Sequence, residues 1–362
     1  MSEVVINGRF LCQRATGVQR VAREFVAALD RILVRGEFSG LQATLVAPAG
    51  ADVSSLGLRR VATEHLGGGA GYYWEQMRLP RRAGRTPLLC LGNTAPVVPL
   101  MIGRPVAVML HDQSYRLFPQ DYSRAYRTVH GVMGHFIVRR SRPLVTVSQT
   151  EAETIRRTNP AMRRDIVVAP NGSLNGDLPV RPSTREDGPP FVLHVGGFSQ
   201  RKNVDGVFAT AVELARRGIG FRLVGQENAR SAAFLAQIDP GVRSLISFTG
   251  YVDDDRLEWL YRNAACLFYP SFYEASGLPP SEAMSFGCPV VVSDLPVLRE
   301  RCGAAALYCD PHDLASMVDT VLRVVDDRAL AGDLSRRGLD QAKQFTWENQ
   351  ARIVMTAIIG PG

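Results

Sequence analysis

The chain has no run of the ~18 apolar residues that a membrane-spanning helix needs. Its N-terminus, Met1-Ser-Glu-Val-Val-Ile-Asn-Gly8, lacks the basic and then apolar segments of a secretory signal. No C-x-x-C pair occurs among the six cysteines, Cys12, Cys90, Cys266, Cys288, Cys302 and Cys309. That scatter predicts free, buried thiols in a reducing cytosol rather than a zinc or disulfide site. Lysine is nearly missing: Lys202 and Lys343 are the two present, and arginine carries the remaining positive charge. There is no internal repeat and no low-complexity stretch. A spanning protein, a disulfide-stapled miniprotein and a fibrous chain are thereby excluded, and a soluble or peripheral protein is expected.

What is present is 362 residues, 46% hydrophobic and 21% charged, enough for two domains with a large core. The net charge of +7 is unevenly spread. Residues 1–180 carry 23 Arg against 13 acids, a net of +10, and residues 181–362 carry 19 basic against 22 acidic residues, a net of −3. A basic half suits an anionic partner such as nucleic acid, anionic lipid or a phosphorylated substrate. No nucleic-acid module accompanies the charge, so nucleic acid is not expected as a partner.

Short apolar runs alternate with amphipathic stretches, the pattern of parallel α/β layers. Val4–Ile6, Thr44–Ala47, Leu88–Leu91, Val106–Leu110, Leu144–Val147 and Ile166–Val168 read as strands, with a helix near Val18–Leu29. Pro179, Pro182, Pro189 and Pro190 mark an interdomain linker over 179–190. A second series follows: Phe191–Val195, Phe221–Val224, Ser247–Thr249, Cys266–Tyr269, Val290–Ser293 and Ala306–Tyr308. The fold class is therefore α/β, two doubly wound Rossmann-like domains facing across a cleft, with ligands expected at the C-terminal ends of the strands. The expected boundaries are 1–178, a linker at 179–190, 191–345, and a C-terminal helix within 346–362 that packs back on the first domain.

The stretch Tyr269–Ser293 is the richest in chemistry. A strand ends at Tyr269, a loop carries Glu274 and Gly277, and a helix is expected to begin near Pro279 or Pro280. Free N–H groups and the positive dipole end at such a helix start can hold an anion. Glycine at 277 permits close backbone approach, and Glu282 falls about one turn into the helix.

Glu274 and Glu282, with seven residues between them, resemble the E-x7-E element of the glycosyltransferase family 4 enzymes. Other blocks match in order. In the second half they are Ser199-Gln-Arg-Lys-Asn203 after Val195-Gly-Gly197, Phe248–Val252, Leu260–Ala264, Cys302–Ala305, Asp310–Asp313 and Phe345-Thr-Trp-Glu348. In the first half they are Gly17-Val-Gln-Arg20, Trp74-Glu-Gln76, Leu110-His-Asp112, Val147-Ser148 and Pro170-Asn-Gly172. Ile6–Leu11 with Thr16–Arg20 resembles bacterial polysaccharide mannosyltransferases.

The resemblance implies a GT-B fold and a retaining hexosyltransferase using a nucleoside diphosphate sugar, GDP-mannose first and a UDP-hexose next. The implied acceptor is a lipid-linked or soluble glycan in surface-polysaccharide assembly, on the inner leaflet of the cytoplasmic membrane. Glu282 would hold the ribose and Glu274 the donor sugar. Arg201 and Lys202 would neutralise the diphosphate, with Ser276, Gly277 and Leu278 sharing that load through backbone N–H groups. Tyr251 and Val252 would border the base, His111 would lie near the reacting carbon, and Gly17 would belong to a loop on the acceptor side.

Ala275-Ser276 departs from the family's usual Gly-Phe, and Gly197 stands where some members have a further basic residue. Asp253-Asp254-Asp255 is read as a helix cap rather than a cation site, so neither metal nor cofactor is expected. A dehydrogenase is excluded because Gly67–Gly71 lacks the G-x-G-x-x-G spacing. A sugar-nucleotide epimerase and a non-catalytic sugar-nucleotide-binding protein remain as alternatives.

Overall fold

Val4, Val5 and Ile6 are fully buried, and the strand that carries them lies inside a seven-stranded parallel sheet. The computed structural model describes residues 2–14, 16–173 and 190–360. Residues 179–189 of the expected linker lie outside the described residues. The chain forms two compact units, Met1–Gly172 with Phe345–Gly362, and Ser173–Gln344.

The first unit contains β1 (Ser2–Asn7), β2 (Leu41–Pro48), β3 (Ala62–Leu66), β4 (Leu88–Cys90), β5 (Val106–Met109), β6 (Leu144–Thr146) and β7 (Ile166–Val168). Their order is β3-β2-β1-β4-β5-β6-β7, with every pairing parallel. Sheet order reverses between β1 and β4, which makes their C-terminal ends the switch point where such sheets take ligands. The sequence gives no sign of β3, because Ala-Thr-Glu-His-Leu lies at the sheet edge with little burial. An edge strand needs no apolar alternation.

The Gly17–Val34 helix runs one turn beyond the expected Leu29. The Trp347–Ile359 helix packs on it within the same unit. Arg31 Nε meets Glu348 Oε1 at 2.7 Å, and Arg352 makes a two-pronged pair with Glu37 at 2.7 and 2.9 Å. Gln350 Nε2 donates to the Ala169 carbonyl and to Asn171 Oδ1. A Cβ on Gly172 would meet Trp347 at 2.4 Å, so Pro170-Asn-Gly172 and Phe345–Glu348 meet as one docking device.

The second unit contains β8 (Phe191–Val195), β9 (Gly220–Val224), β10 (Ile246–Gly250), β11 (Cys266–Tyr269), β12 (Val290–Ser293) and β13 (Ala306–Cys309), in the order β10-β9-β8-β11-β12-β13. All pairings are again parallel, and the switch point falls between β8 and β11. Two apolar clusters cover the sheet. Val192, Phe221 and Phe268 belong to one, and Leu193, Leu267 and Val292 to the other. Strands buried on both faces explain the unbroken apolar runs in the sequence.

Five cysteines are buried as expected, and Cys12 is not. It ends the short Gly8–Cys12 turn, where the chain leaves the sheet, and is exposed. Burial pushes the Cys302 and Cys309 thiols up to about 12, so both behave as small apolar side chains.

Candidate active site

The loops after β8 and β11, at the switch point of the second unit, bring Lys202 and Glu274 into contact. Lys202 ends a single 3-10 turn, Gln200–Lys202. That turn is closed by Asn203, whose left-handed backbone (φ 54°) lets its side chain cap the Val204–Ala215 helix at Gly206. Asn203 Nδ2 also donates to the Pro311 carbonyl at 2.7 Å. Asn203 of the Arg-Lys-Asn element therefore aims the lysine rather than binding anything itself.

Lys202 Nζ forms an ion pair with Glu274 and donates to the Tyr269 hydroxyl at 2.6 Å. Its charge also lies 4.8 Å from the centroid of the Tyr269 ring. All three groups are buried or nearly so. Burial pushes the Glu274 carboxyl up, but Lys202 and then Arg201 pull it further the other way, and it ends below the usual carboxylate range. Arg201 reaches the Tyr273 carbonyl, and its own carbonyl accepts from Phe272 N at 3.0 Å, which ties the two loops together.

Beneath this pair lies His194, 1% exposed, its Nδ1 3.0 Å from the Phe268 carbonyl and its ring against Tyr269. Burial lowers its pKa to about 4, so the ring is neutral and serves as a rigid floor. Tyr269 and His194 are the site residues that the sequence does not reveal. Both belong to strands whose apolar pattern hides them.

The helix after the Glu274 loop runs Leu278–Ser285, starting one residue before the expected prolines. Gly277 is its N-cap with φ 70°, and a Cβ there would come within 2.9 Å of Leu298 Cδ2. Pro279 and Pro280 have no N–H, so the first turn offers fewer donors than an ordinary helix start. Glu282 lies on that helix, 6% exposed, and accepts from the Tyr261 hydroxyl at 3.2 Å.

Tyr251, just past β10, is 63% exposed and Val252 is half-buried, so both are accessible to a planar ligand. Asp253 caps the Asp254–Asn263 helix by accepting from Arg256 N at 2.8 Å, and Asp254 and Asp255 occupy its first turn.

His111 and Gly17 belong to the first unit. His111 follows β5, is 5% exposed, and has Nε2 2.9 Å from the Leu91 carbonyl. Burial lowers its pKa, so the imidazole is neutral. Gly17 is the first residue of its helix rather than part of the preceding loop. Thr16, extended, takes the N-cap position and turns the chain there.

Residues 180–341 match the family described as "Glycosyl transferases group 1". The match falls within the second unit. It is similar to an O-antigen chain mannosyltransferase B of Escherichia coli, 37% identical over 44% of this chain and 43% of that protein. A second relative, the O-antigen chain mannosyltransferase RfbU of Salmonella typhimurium, is 25% identical over 70% of this chain and 69% of its own length. The chain thus spans less than half of the first relative. A sucrose-phosphate synthase from Thermosynechococcus elongatus superposes with a TM-score of 0.72 at 18% identity, covering 97% of both chains. The fold is GT-B. Within the matched residues, Arg201, Lys202, Glu274, Gly277 and Glu282 all lie past the C-terminal ends of β8 and β11 or on the helix that follows β11.

Proposed function

We propose that this chain is a retaining, metal-independent glycosyltransferase of surface-polysaccharide synthesis that transfers a hexose, mannose first, from a nucleoside diphosphate sugar. The observation that carries the reading is the Lys202–Glu274 pair on Tyr269, with Glu282 on the following helix. The two mannosyltransferase relatives favour mannose as the sugar, and GDP-mannose is the first donor in this reading, with a UDP-hexose next.

In this reading Glu274, kept ionised by Lys202, accepts hydrogen bonds from donor-sugar hydroxyls. Arg201 and Lys202 stabilise the diphosphate as it departs as an anion, the charge that grows most in the transition state. Glu282 takes the ribose, and the N–H groups near Gly277 and Leu278 add a weak anion hold. No side chain is assigned as nucleophile. The acceptor hydroxyl attacks on the face the phosphate leaves, and the phosphate takes its proton. Positive side chains substitute for a divalent cation.

The acceptor in this proposal is a lipid-linked saccharide at an anionic leaflet. Arg81, Arg85, Arg139, Arg140 and Arg142 of the first unit are exposed. The helices Val97–Met101 and Arg124–Arg140 pack together and expose Val98, Met101, Val129 and Val132. A unit that exposes both arginines and aliphatic side chains suits a bilayer interface. Among the described residues no helix is long and apolar enough to cross a membrane.

The experiment is a thermal-shift and transfer screen of GDP-, UDP- and dTDP-sugars, with and without EDTA. A donor at 100 times its Kd should stabilise the protein by about 2.7 kcal/mol, and transfer should survive chelation. An epimerised donor would establish the epimerase alternative, and no stabilisation by any donor would remove the reading. Loss with EDTA that magnesium restores would overturn metal independence.

A further inference from the structure

The Asp310-Pro-His-Asp313 block follows β13 and is assigned no part in the donor chemistry, yet it touches both loops that build the site. β13 is an edge strand, separated from β11 by β12. The Pro311 carbonyl accepts from Asn203 Nδ2 at 2.7 Å, beside Lys202 on the loop after β8. The His312 ring stacks on Phe272, two residues before Glu274, with centroids 4.7 Å apart and planes 20° from parallel.

The block is built to hold that ring still. Asp310 Oδ1 accepts from His312 N at 2.9 Å, and the Asp310 carbonyl accepts from Asp313 N at 3.2 Å. Asp310 N donates to Ser316 Oγ at 3.0 Å, and Asp313 caps the Leu314–Asp326 helix by accepting from Ala315 N at 2.9 Å. Pro311 is buried, while His312 is exposed. The imidazole is therefore carried on a turn fixed at both ends.

Phe272 needs such a support. Its N–H is taken by the Arg201 carbonyl at 3.0 Å, and the Ser271 carbonyl before it accepts from Ser293 Oγ at 2.5 Å. Those bonds fix the main chain. The Phe272 side chain is half-buried and belongs to neither apolar cluster that covers the sheet. Among the described residues its one ring partner is His312. Stacked aromatic pairs gain more than the area they bury. Without the stack the ring would be free to turn, and the loop that carries Glu274 would lose one of its attachments.

We propose that His312 is a positioning residue for the donor-sugar carboxylate: its ring clamps Phe272 and so holds the Glu274 loop against the Lys202 loop. The inference rests on the transferase reading. His312 acts through Phe272 and takes no part in bond making. It controls the sugar half of the donor, because Glu274 is the residue that takes the sugar hydroxyls in that reading. The clamp uses the shape of the ring, so phenylalanine at 312 serves in its place.

The test compares His312→Ala, His312→Phe, Phe272→Ala and the His312→Ala/Phe272→Ala double variant of the full chain. Each is followed by hydrogen exchange and by titration with GDP, UDP, GDP-mannose and UDP-glucose. In His312→Ala the Phe272 amide should exchange roughly threefold to tenfold faster, the range an aromatic pair supplies, with β11 unchanged. Sugar-nucleotide binding should weaken by a similar factor, while the bare nucleotide binds as before. His312→Phe should restore both, and the double variant should lose no more than either single variant. Parental exchange in the folded His312→Ala variant overturns the inference, as does faster exchange throughout the second unit that His312→Phe does not restore. Unchanged sugar-nucleotide binding, or equal losses for nucleotide and sugar nucleotide, also overturns it, since the effect is then not on the sugar. If no nucleotide binds the parent, the transferase reading falls, and exchange at Phe272 still decides whether His312 holds the loop.

Discussion

Lys202 lies 67 residues from Tyr269 and 72 from Glu274 along the chain, yet it bonds to both. Removing it takes a cation from the expected diphosphate and leaves a buried carboxylate without its main counter-charge. Lys202→Ala and Glu282→Ala should each reduce transfer at least tenfold, about 1.4 kcal/mol of lost transition-state stabilisation, with the fold intact by circular dichroism. The lysine variant carries a second signature. Glu274 is held low by Lys202, so its pKa rises when the lysine is gone, and the acid limb of the pH–rate profile should move to higher pH. Unchanged rates in both folded variants would sink the donor assignment. Glu274, Glu282, Arg201 and Lys202 were legible in the sequence because charged residues stand out beside strand-ending turns. Tyr269 and His194 were not. One is the last residue of an apolar strand, and the other lies inside one.

Among the elements, the loop and helix from Tyr269 to Ser285 depend most on one backbone conformation. Gly277 combines φ 70° with a neighbour that a methyl group would strike. Gly277→Ala should cost about 1–3 kcal/mol, the usual range for a non-glycine residue held in such a region, read as a lower urea midpoint. It should also weaken nucleotide binding, since the strain falls where the Glu274 loop enters the helix. A variant as stable as the parent would show that the loop adapts freely. The central strands were readable because burial on both faces leaves continuous Val, Leu and Ile runs. β3 escaped notice because an edge strand can be polar. The aspartate run at 253–255 was readable as a cap, and Asp253 fills that position.

Over the whole molecule, charge is divided unevenly along the chain. The arginine excess lies in the first 180 residues, and several of those side chains are exposed, as are Val98, Met101, Val129 and Val132. Arg82 is an exception, since Glu64 already pairs with it at 2.7 Å. Each exposed arginine near an anionic surface contributes about 1 kcal/mol, and the attraction fades over a Debye length of about 8 Å. The protein should therefore sediment with liposomes increasingly as anionic lipid rises and salt falls. A protein that stays in the supernatant at every composition would point to a soluble glycan acceptor.

The sequence by itself determined the two parallel sheets, since strand runs and helix periods are local properties that survive without neighbours. It also set the spacing of Glu274 and Glu282, which lie in one loop and the helix that follows it. Tertiary structure decided what long-range packing alone can decide. It placed Tyr269 and His194 under Lys202, and it put the C-terminal helix against the Gly17–Val34 helix within the first unit. It also brought Arg9, Tyr72 and His130 together from three separate segments. Contacts between residues so far apart in the chain leave no spacing to read, because the sheet order, not the chain order, makes them neighbours.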